Sequence, residues 1–210
     1  MTTFDNILKQ MMRWWVVLGY FSLTMISFFY FDKSVAYYFH GLDIKHSYPV
    51  IHWITKLGIG AVDITASLSL ALFFSYIHKN KTYETRSWFL WLCALVPNLI
   101  CLVLKIALGR ARPELLFDAQ QFGFYGFHMT SQFWSMPSGH TTTVMGIVFG
   151  LCVLFPRYCI ALILVGLGIV STRVFLTDHY LSDVLATIYL TLLEIGGLAY
   201  FSRQKLNVIK

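Results

Sequence analysis

Long runs of apolar residues, separated by short polar stretches, dominate the sequence. A helix needs about 20 mostly apolar residues to cross a bilayer, and six runs reach or approach that length. We predict spanning helices at Trp14–Phe31, Leu57–Ile77, Trp88–Leu108, Thr141–Phe155, Tyr158–Leu176 and Tyr180–Phe201. The fourth run is short and is expected to begin nearer Ser138. The pattern therefore predicts an all-α polytopic membrane protein, a bundle of six transmembrane helices.

The composition agrees with this pattern. Hydrophobic residues make up 57% of the chain and charged residues 12%, against about 25% charged in average globular proteins. No soluble linker or repeat divides the sequence, so residues 1–210 are expected to form one domain. The formal net charge of +6 is typical of proteins that contact nucleic acid or an anionic membrane. Because no Lys/Arg tract or zinc pattern is present, we expect no nucleic-acid partner and assign the charge to membrane topology and an anionic substrate.

Aromatic residues concentrate in two segments between the runs, Ser34–Trp53 and Glu114–Ser135. Aromatic side chains are common at membrane interfaces, and we predict that both segments are interfacial. The alternative is that they line a route for an acyl or isoprenoid chain. Asp63 lies inside the second run without an obvious partner and is interpreted as a polar contact between helices. The four cysteines lie in or beside apolar runs and form no C-x-x-C pair, so we interpret them as small buried side chains.

A polar stretch interrupts the pattern at residues 171–183, S-T-R-V-F-L-T-D-H-Y-L-S-D. Ionised side chains at membrane depth cost on the order of a few kcal/mol each and are rare unless they have a function. His179 and Asp183 are four residues apart and share one face of a helix. A carboxylate beside an imidazole can hold one tautomer and leave the other nitrogen free to attack. Arg173 carries a planar fork of donors suited to phosphate. The alternative interpretation is a cluster of interfacial charges at a helix end.

A second stretch, K-I-A-L-G-R-A-R-P, ends the third run at Lys105–Pro113. Lys105 and Arg112 are seven residues apart, about two helical turns, so they point to nearly the same side. They are candidates for a pair of cations that hold an anion. The commoner fate of basic residues near a helix end is to extend toward the lipid headgroups, and Arg110 fits that interpretation better than Arg112.

A third stretch, M-P-S-G-H, precedes the fourth run at Met136–His140. Ser138 is a favourable N-cap, and Gly139 permits close approach to the backbone. The N-terminus of a helix offers free N–H groups and a positive dipole end to an anion, and His140 in that first turn can donate or accept a proton. An ordinary capped helix with an interfacial histidine is the alternative.

Taken together, K-x6-R-P, P-S-G-H and R-x5-H-x3-D resemble the three motifs of the type 2 phosphatidic acid phosphatase superfamily, in its bacterial membrane branch. They occur in this order within residues 105–183. The family contains membrane lipid phosphatases and soluble vanadium haloperoxidases. One departure is Thr172, because the family usually has serine directly before the arginine of the third motif.

The resemblance implies a role for each motif residue. His179 would attack phosphorus and form a phosphohistidine, Asp183 would orient it, and His140 would protonate the leaving oxygen and then activate water. The phosphoryl oxygens would be held by Lys105, Arg112, Ser138, Gly139 and Arg173. Three cations and a helix N-terminus can stabilise phosphoryl transfer without metal. Because the sequence shows no carboxylate cluster suited to Mg²⁺, we expect no metal and no other cofactor.

The order of the helices predicts that all three motifs meet at one face of the membrane. If the N-terminus is cytoplasmic, that face is periplasmic or extracellular. The distribution of Lys and Arg favours this orientation weakly. The bias becomes clear only when the candidate site cations are set aside: Lys105, Arg110, Arg112 and Arg173.

We therefore predict an enzyme of the bacterial cytoplasmic membrane that hydrolyses a lipid phosphomonoester or diphosphate at the periplasmic or exterior face. Lipid A, polyprenyl diphosphate and phosphatidylglycerophosphate are the substrates considered. One alternative is a non-catalytic protein of the same fold that binds or transports lipid phosphates, for which both histidines would be unnecessary. A vanadium haloperoxidase is disfavoured, because the site lies among membrane spans.

Overall fold

The computed structural model describes residues 2–206, without the side chains of residues 45, 46, 49, 52 and 204–206. This part of the chain is 82% helical and contains no β-strand, which confirms the all-α prediction. The helices are α1 Thr3–Met11, α2 Trp14–Gly41, α3 Ile44–Ser47, α4 Pro49–Thr55, α5 Gly60–Ile77, α6 Lys81–Leu108, α7 Pro113–Ala119, α8 Gly139–Leu154, α9 Cys159–Phe175 and α10 Leu181–Leu206.

Within residues 2–206, five helices are long and apolar enough to cross a membrane: α2, α5, α6, α9 with its preceding turn, and α10. The sixth predicted span corresponds to α8, which is apolar but has 16 residues. At about 1.5 Å per residue it is roughly 24 Å long, shorter than the ~30 Å hydrocarbon core. The described residues therefore contain five helices of spanning length and one shorter apolar helix, and the predicted count of six is not confirmed.

The helices α2, α6 and α10 extend beyond the apolar runs that predicted them, α10 by five residues to Leu206. The first run ends at Phe31, but α2 continues through a π-helical turn at Ser27–Phe31 and ends at Gly41. The third run begins at Trp88, whereas α6 begins at Lys81, where the side chain of Asn80 accepts from the first free N–H groups. Apolar runs report only the part of a helix that needs a nonpolar surrounding, so a capped polar turn adds length that hydropathy does not detect.

The helix α8 lies at the centre of the bundle, packed against α6, α9 and α10. Met145, Phe149 and Cys152 on α8 belong to the main buried cluster. The N-terminal helix α1 adds Phe4, which is fully buried beside Phe149. All four cysteines are buried and unpaired by disulfides, which confirms their interpretation as small buried side chains.

One end of the bundle gathers the C-terminal ends of α2, α6 and α9 and the N-terminal ends of α5, α8 and α10. The helix α6 stops at Gly109, which has a left-handed φ of 54°. A Cβ at this position would lie 1.7 Å from the carbonyl oxygen of Gly126, so only glycine lets residues 109–135 fold back over the helix end. The three motifs meet at this end, as the helix order predicted. The side of the membrane that it faces stays a prediction.

Candidate active site

His179 follows the end of α9 and is held in a fixed orientation. Its N–H donates to the carbonyl oxygen of Arg173 over 3.2 Å, and its side chain is almost completely buried. The imidazole Nδ1 lies 2.7 Å from the carbonyl oxygen of Ser135. A carbonyl oxygen can only accept, so Nδ1 carries the hydrogen and Nε2 keeps its lone pair. This is the tautomer that attack through Nε2 requires.

Asp183 contacts His179 differently from the expectation. Its Oδ2 lies 3.7 Å from Nδ1, which is beyond hydrogen-bonding distance. The same oxygen accepts from Ser135 Oγ over 2.6 Å and from the N–H of Tyr180 over 3.0 Å. Asp183 therefore orients Ser135, and the carbonyl group of Ser135 orients the imidazole of His179. The sequence does not indicate this link, because a backbone carbonyl group gives no side-chain signal.

The surroundings of His179 keep its imidazole neutral. Burial lowers the pKa of His179 to about 3, since the charged form would lose its hydration, and the cations Lys105 and Arg112 act in the same direction. The negative charge of Asp183 opposes them. At neutral pH the side chain is therefore uncharged, so Nε2 does not need to lose a proton before it reacts.

Lys105 and the start of α8 form one wall of the site. Lys105 is largely buried and its Nζ donates to the carbonyl oxygen of Trp134 over 2.8 Å. The side chain passes Gly139, where a Cβ would lie 3.5 Å from Lys105 Cε. Ser138 caps α8 as predicted, because its Oγ accepts from the N–H of Thr141 over 3.4 Å. The lysine therefore lies against a helix N-terminus, and both are attractive to an anion.

Two arginines add to the positive charge. Arg173 donates to Thr55 Oγ1 over 2.9 Å and pairs with Asp178 over 2.9 Å. The Nε atoms of Arg112 and Arg173 are buried without a hydrogen-bond partner in the described part of the chain. Lys105 lies within electrostatic range of both arginines. The Nε atoms of the two arginines are therefore unused donors, and an anion with several oxygens can satisfy them.

His140 lies in the first turn of α8, against a segment that the sequence analysis did not connect with the site. Its Nε2 is buried and has no hydrogen-bond partner among residues 2–206. A Cβ on Gly58 would lie 2.3 Å from His140 Cε1 and 2.6 Å from Nε2. The segment from Thr55 to Gly58 thus contacts both Arg173 and His140. A glycine within an apolar run gives no chemical signal, so the sequence alone could not identify it.

The interpretation of Arg110 as an interfacial residue is wrong. Its side chain is 0% exposed and forms ion pairs with Asp183 and with Asp32 Oδ2, the latter over 2.6 Å. A buried guanidinium is stable only when it is paired and hydrogen-bonded. The unexpected partner of Arg110 is Asp32 on α2, a residue to which the sequence analysis assigned no role.

The comparisons with known proteins identify the family of the chain. The PAP2 superfamily pattern matches residues 86–206, more than half of the chain, and the protein therefore belongs to the PAP2 superfamily. The resemblance carried by the three motifs is confirmed.

Two curated proteins are similar to this chain, and both are named lipid A 1-phosphatase. The protein from Rhizobium johnstonii is 41% identical over 103 residues, which is 48% of this chain and 42% of that protein. The protein from Rhizobium etli is 36% identical over 131 residues, which is 57% of this chain and 56% of that protein. The matched region spans about half the length of these relatives. No solved structure matches the chain.

Proposed function

We propose that this protein is a lipid phosphatase that hydrolyses a phosphomonoester or diphosphate through a phosphohistidine. The observation that carries the proposal is the state of His179. Its proton is held at Nδ1 by the carbonyl group of Ser135, and its neutral imidazole leaves a lone pair on Nε2. Lys105 and Arg112 lie within electrostatic range of this ring, so a phosphoryl group bound to them would be close to the nucleophile.

In the first step the Nε2 lone pair of His179 forms a bond to phosphorus. The bond between phosphorus and the leaving oxygen breaks, and its electron pair stays on that oxygen. His140, which must be protonated on both ring nitrogens at the start of this step, transfers one proton to the same oxygen, which leaves as the hydroxyl group of the lipid or as its shortened phosphate. The product on the enzyme is a phosphohistidine at His179.

In the second step His140, now lacking that proton, accepts one from a water molecule. The water oxygen forms a bond to phosphorus while the P–N bond breaks, and the electron pair returns to Nε2 of His179. Inorganic phosphate is released, and both histidines regain their starting protonation states. Each step uses a group that the preceding step has prepared.

The phosphate-binding residues would stabilise both transition states. Charge on the equatorial oxygens is the main feature that a protein can stabilise in phosphoryl transfer. Lys105, Arg112 and Arg173 supply positive charge, and the N-terminal end of α8 at Ser138 and Gly139 supplies backbone donors. These donors are fixed by the fold before the substrate binds, which lowers the reorganisation that the reaction requires.

The relatives suggest the substrate to test first. Both are named lipid A 1-phosphatase, so lipid A that carries a 1-phosphate is the leading candidate. Polyprenyl diphosphate and phosphatidylglycerophosphate are further substrates with the same chemistry. We place the protein in the bacterial cytoplasmic membrane with the site toward the periplasm, because the N-terminus-inside orientation puts the motif end of the bundle there.

The test is release of inorganic phosphate by the purified protein in detergent, across lipid A 1-phosphate, polyprenyl diphosphate and phosphatidylglycerophosphate. The matched control is His179→Gln, which keeps a polar side chain but removes the nucleophile. We expect phosphate release from at least one lipid by the unmodified protein and none by the variant. A folded, monodisperse protein that releases no phosphate from any of these lipids would overturn the proposed function.

A further inference from the structure

A second charged cluster lies behind the nucleophile. The guanidinium group of Arg110 donates to Asp183 Oδ1, to Ser182 Oγ over 2.8 Å and to Asp32 Oδ2 over 2.6 Å. Asp32 also accepts from Ser27 Oγ over 3.2 Å and from the N–H of Ser182 over 2.9 Å. The side chains of Arg110, Asp32 and Asp183 are 0% exposed. Within the protein these charges are screened much less than they would be in water.

Aromatic rings enclose the Arg110 guanidinium. Its Cζ lies 4.8 Å from the ring centre of Tyr180, 4.9 Å from Phe28, 5.3 Å from Phe124 and 5.9 Å from Phe122. Contacts of this kind attract the cation and restrict the plane of its fork. Two of these rings, Phe122 and Phe124, come from the aromatic segment predicted at Glu114–Ser135, so part of that segment packs against Arg110, although Phe124 is 48% exposed.

Arg110 is connected to His179 by two routes that meet at Ser135. Its guanidinium holds Asp183, which accepts from Ser135 Oγ over 2.6 Å. Its carbonyl oxygen accepts from the N–H of Ser135 over 3.0 Å. The carbonyl oxygen of Ser135 then accepts from His179 Nδ1. Ser135 is thus fixed at its side chain and at its backbone by groups that Arg110 positions.

We propose that Asp32 and Arg110 are positioning residues for His179, acting through Asp183 and Ser135. This inference rests on the proposed function, because it assigns Asp32 and Arg110 to the support of the same nucleophile. Asp32 lies in α2, outside the residues 86–206 that match the family, so the first long helix contributes to the site. Asp32 fixes one side of the fork and Asp183 accepts from the other, which keeps Asp183 ionised although the imidazole does not donate to it.

Asp32→Asn is the most direct variant. It keeps the volume of the side chain and an oxygen that can accept from the N–H of Ser182, but it removes the charge that faces Arg110. We expect kcat to fall about 10-fold to 100-fold, since a displacement of about 1 Å caused by a remote substitution can cost this much. We expect KM to stay the same, because Lys105, Arg112 and Arg173 are unchanged.

Two further variants make the result specific. Arg110→Lys keeps the positive charge but loses the planar fork, so its kcat should be reduced but not abolished. Arg110→Met loses the charge as well and should have no measurable activity. Asp63→Asn is the matched control, because Asp63 is a partly buried carboxylate in α5 whose Oδ2 has no hydrogen-bond partner among the described side chains. It should leave kcat unchanged. All rates are measured on the folded, monodisperse fraction, so that a loss of folded protein is not counted as a loss of turnover.

A readout that needs no substrate separates this inference from the proposed function. In protein with ¹⁵N-labelled histidine, the His179 signals are assigned by their loss in His179→Gln, and they report which ring nitrogen carries the hydrogen. Asp32→Asn should shift or broaden them, and Asp63→Asn should not. Unchanged signals and unchanged kcat in Asp32→Asn would overturn the positioning role. If the unmodified protein released no phosphate, the proposed function would fail, and the ¹⁵N signals alone would decide the role of Asp32.

Discussion

Arg110 and Arg112 are two residues apart, yet their surroundings are opposite. The guanidinium group of Arg110 is fully buried, bound by Asp32, Ser182 and Asp183, and enclosed by aromatic rings. Arg112 is partly buried, and its Nε, like that of Arg110, has no hydrogen-bond partner within residues 2–206. It also lies within electrostatic range of other cations, Lys105 and Arg173.

The difference separates two uses of the same side chain. Arg110 has its charge neutralised by the protein, so it can add little to the binding of an external anion, but it can fix the groups it touches. Arg112 lies near the cations Lys105 and Arg173, so it gains most when a phosphate supplies negative charge and acceptors. One arginine therefore supports the nucleophile and the other is available to the substrate. Variants at and around these two regions test whether the division is real.

The largest expected effect is at the point where the two regions meet, the imidazole of His179. His179→Gln should lower phosphate release by about 10⁴-fold or more, because the loss of a nucleophile removes most of the chemical acceleration. Its affinity for a lipid phosphate should stay close to that of the unmodified protein, since Arg112 and Lys105 are intact. The measurements are steady-state phosphate release and equilibrium binding of the lipid.

His140→Ala supplies the complementary result. It should allow part of the first step but block the second, so that ³²P from a labelled substrate stays on the protein as an acid-labile, base-stable adduct. Full turnover by His179→Gln would contradict the nucleophile assignment. Lipid-phosphate binding without any phosphate release by the unmodified protein would instead favour a protein that only binds lipid phosphates.

The next effect is expected at Arg112 itself. Arg112→Met should lower kcat/KM by about 10²-fold to 10³-fold, the usual cost of removing one donor to a developing negative charge. Unlike Asp32→Asn, it should also weaken binding of inorganic phosphate, measured as inhibition of turnover. Arg157→Met is the control, because Arg157 is exposed in the turn between α8 and α9 at the opposite end of the bundle. Equal phosphate inhibition in Arg112→Met and the unmodified protein would remove Arg112 from the site.

The sequence predicted the cations around Arg112 better than the buried cluster around Arg110. The motifs and the helix order place Lys105, Arg112 and Arg173 at one end of the bundle. The helical-spacing argument for Lys105 and Arg112 is wrong, because α6 ends at Leu108 and Arg112 has an extended backbone before α7. Arg110 was misassigned, because its surroundings depend on Asp32, which is 78 residues away along the chain, and on rings from two separate segments. No local pattern in a sequence reports a contact of that range.

The same limit applies to the fold and to the orientation of the nucleophile. The apolar runs predicted the existence of the helices but not the π-helical turn and the extension of α2 to Gly41. Spacing predicted that Asp183 lies one turn from His179, but the hydrogen bond goes to the carbonyl group of Ser135. Backbone carbonyl groups and glycines act through their position alone, and position is a property of the folded chain.

A smaller effect is expected at Gly58, whose missing Cβ makes room for His140. Gly58→Ala should displace the imidazole, because the new methyl group would lie 2.3 Å from Cε1 and 2.5 Å from a methyl group of Val144. We expect a loss of about 10-fold to 100-fold in kcat, with phosphate inhibition unchanged. Gly168→Ala is the matched control, since a Cβ there meets no atom of the described part of the chain within 4 Å. Normal turnover by Gly58→Ala would show that His140 can be moved without consequence.

The smallest expected effect is that of chelation. It tests whether the cations of the protein are sufficient to stabilise the substrate phosphate without a metal ion. Within residues 2–206, no group of three or more His, Cys, Asp or Glu side chains could hold a metal ion, and three cations surround the proposed phosphate position. EDTA should therefore leave phosphate release unchanged, measured with the unmodified protein before and after dialysis against the chelator. The control is a Mg²⁺-dependent phosphatase treated in the same way. Loss of activity that returns with added Mg²⁺ would mean that Lys105, Arg112 and Arg173 do not neutralise the substrate alone. The contrast between Arg110 and Arg112 would then describe two degrees of burial and not two roles.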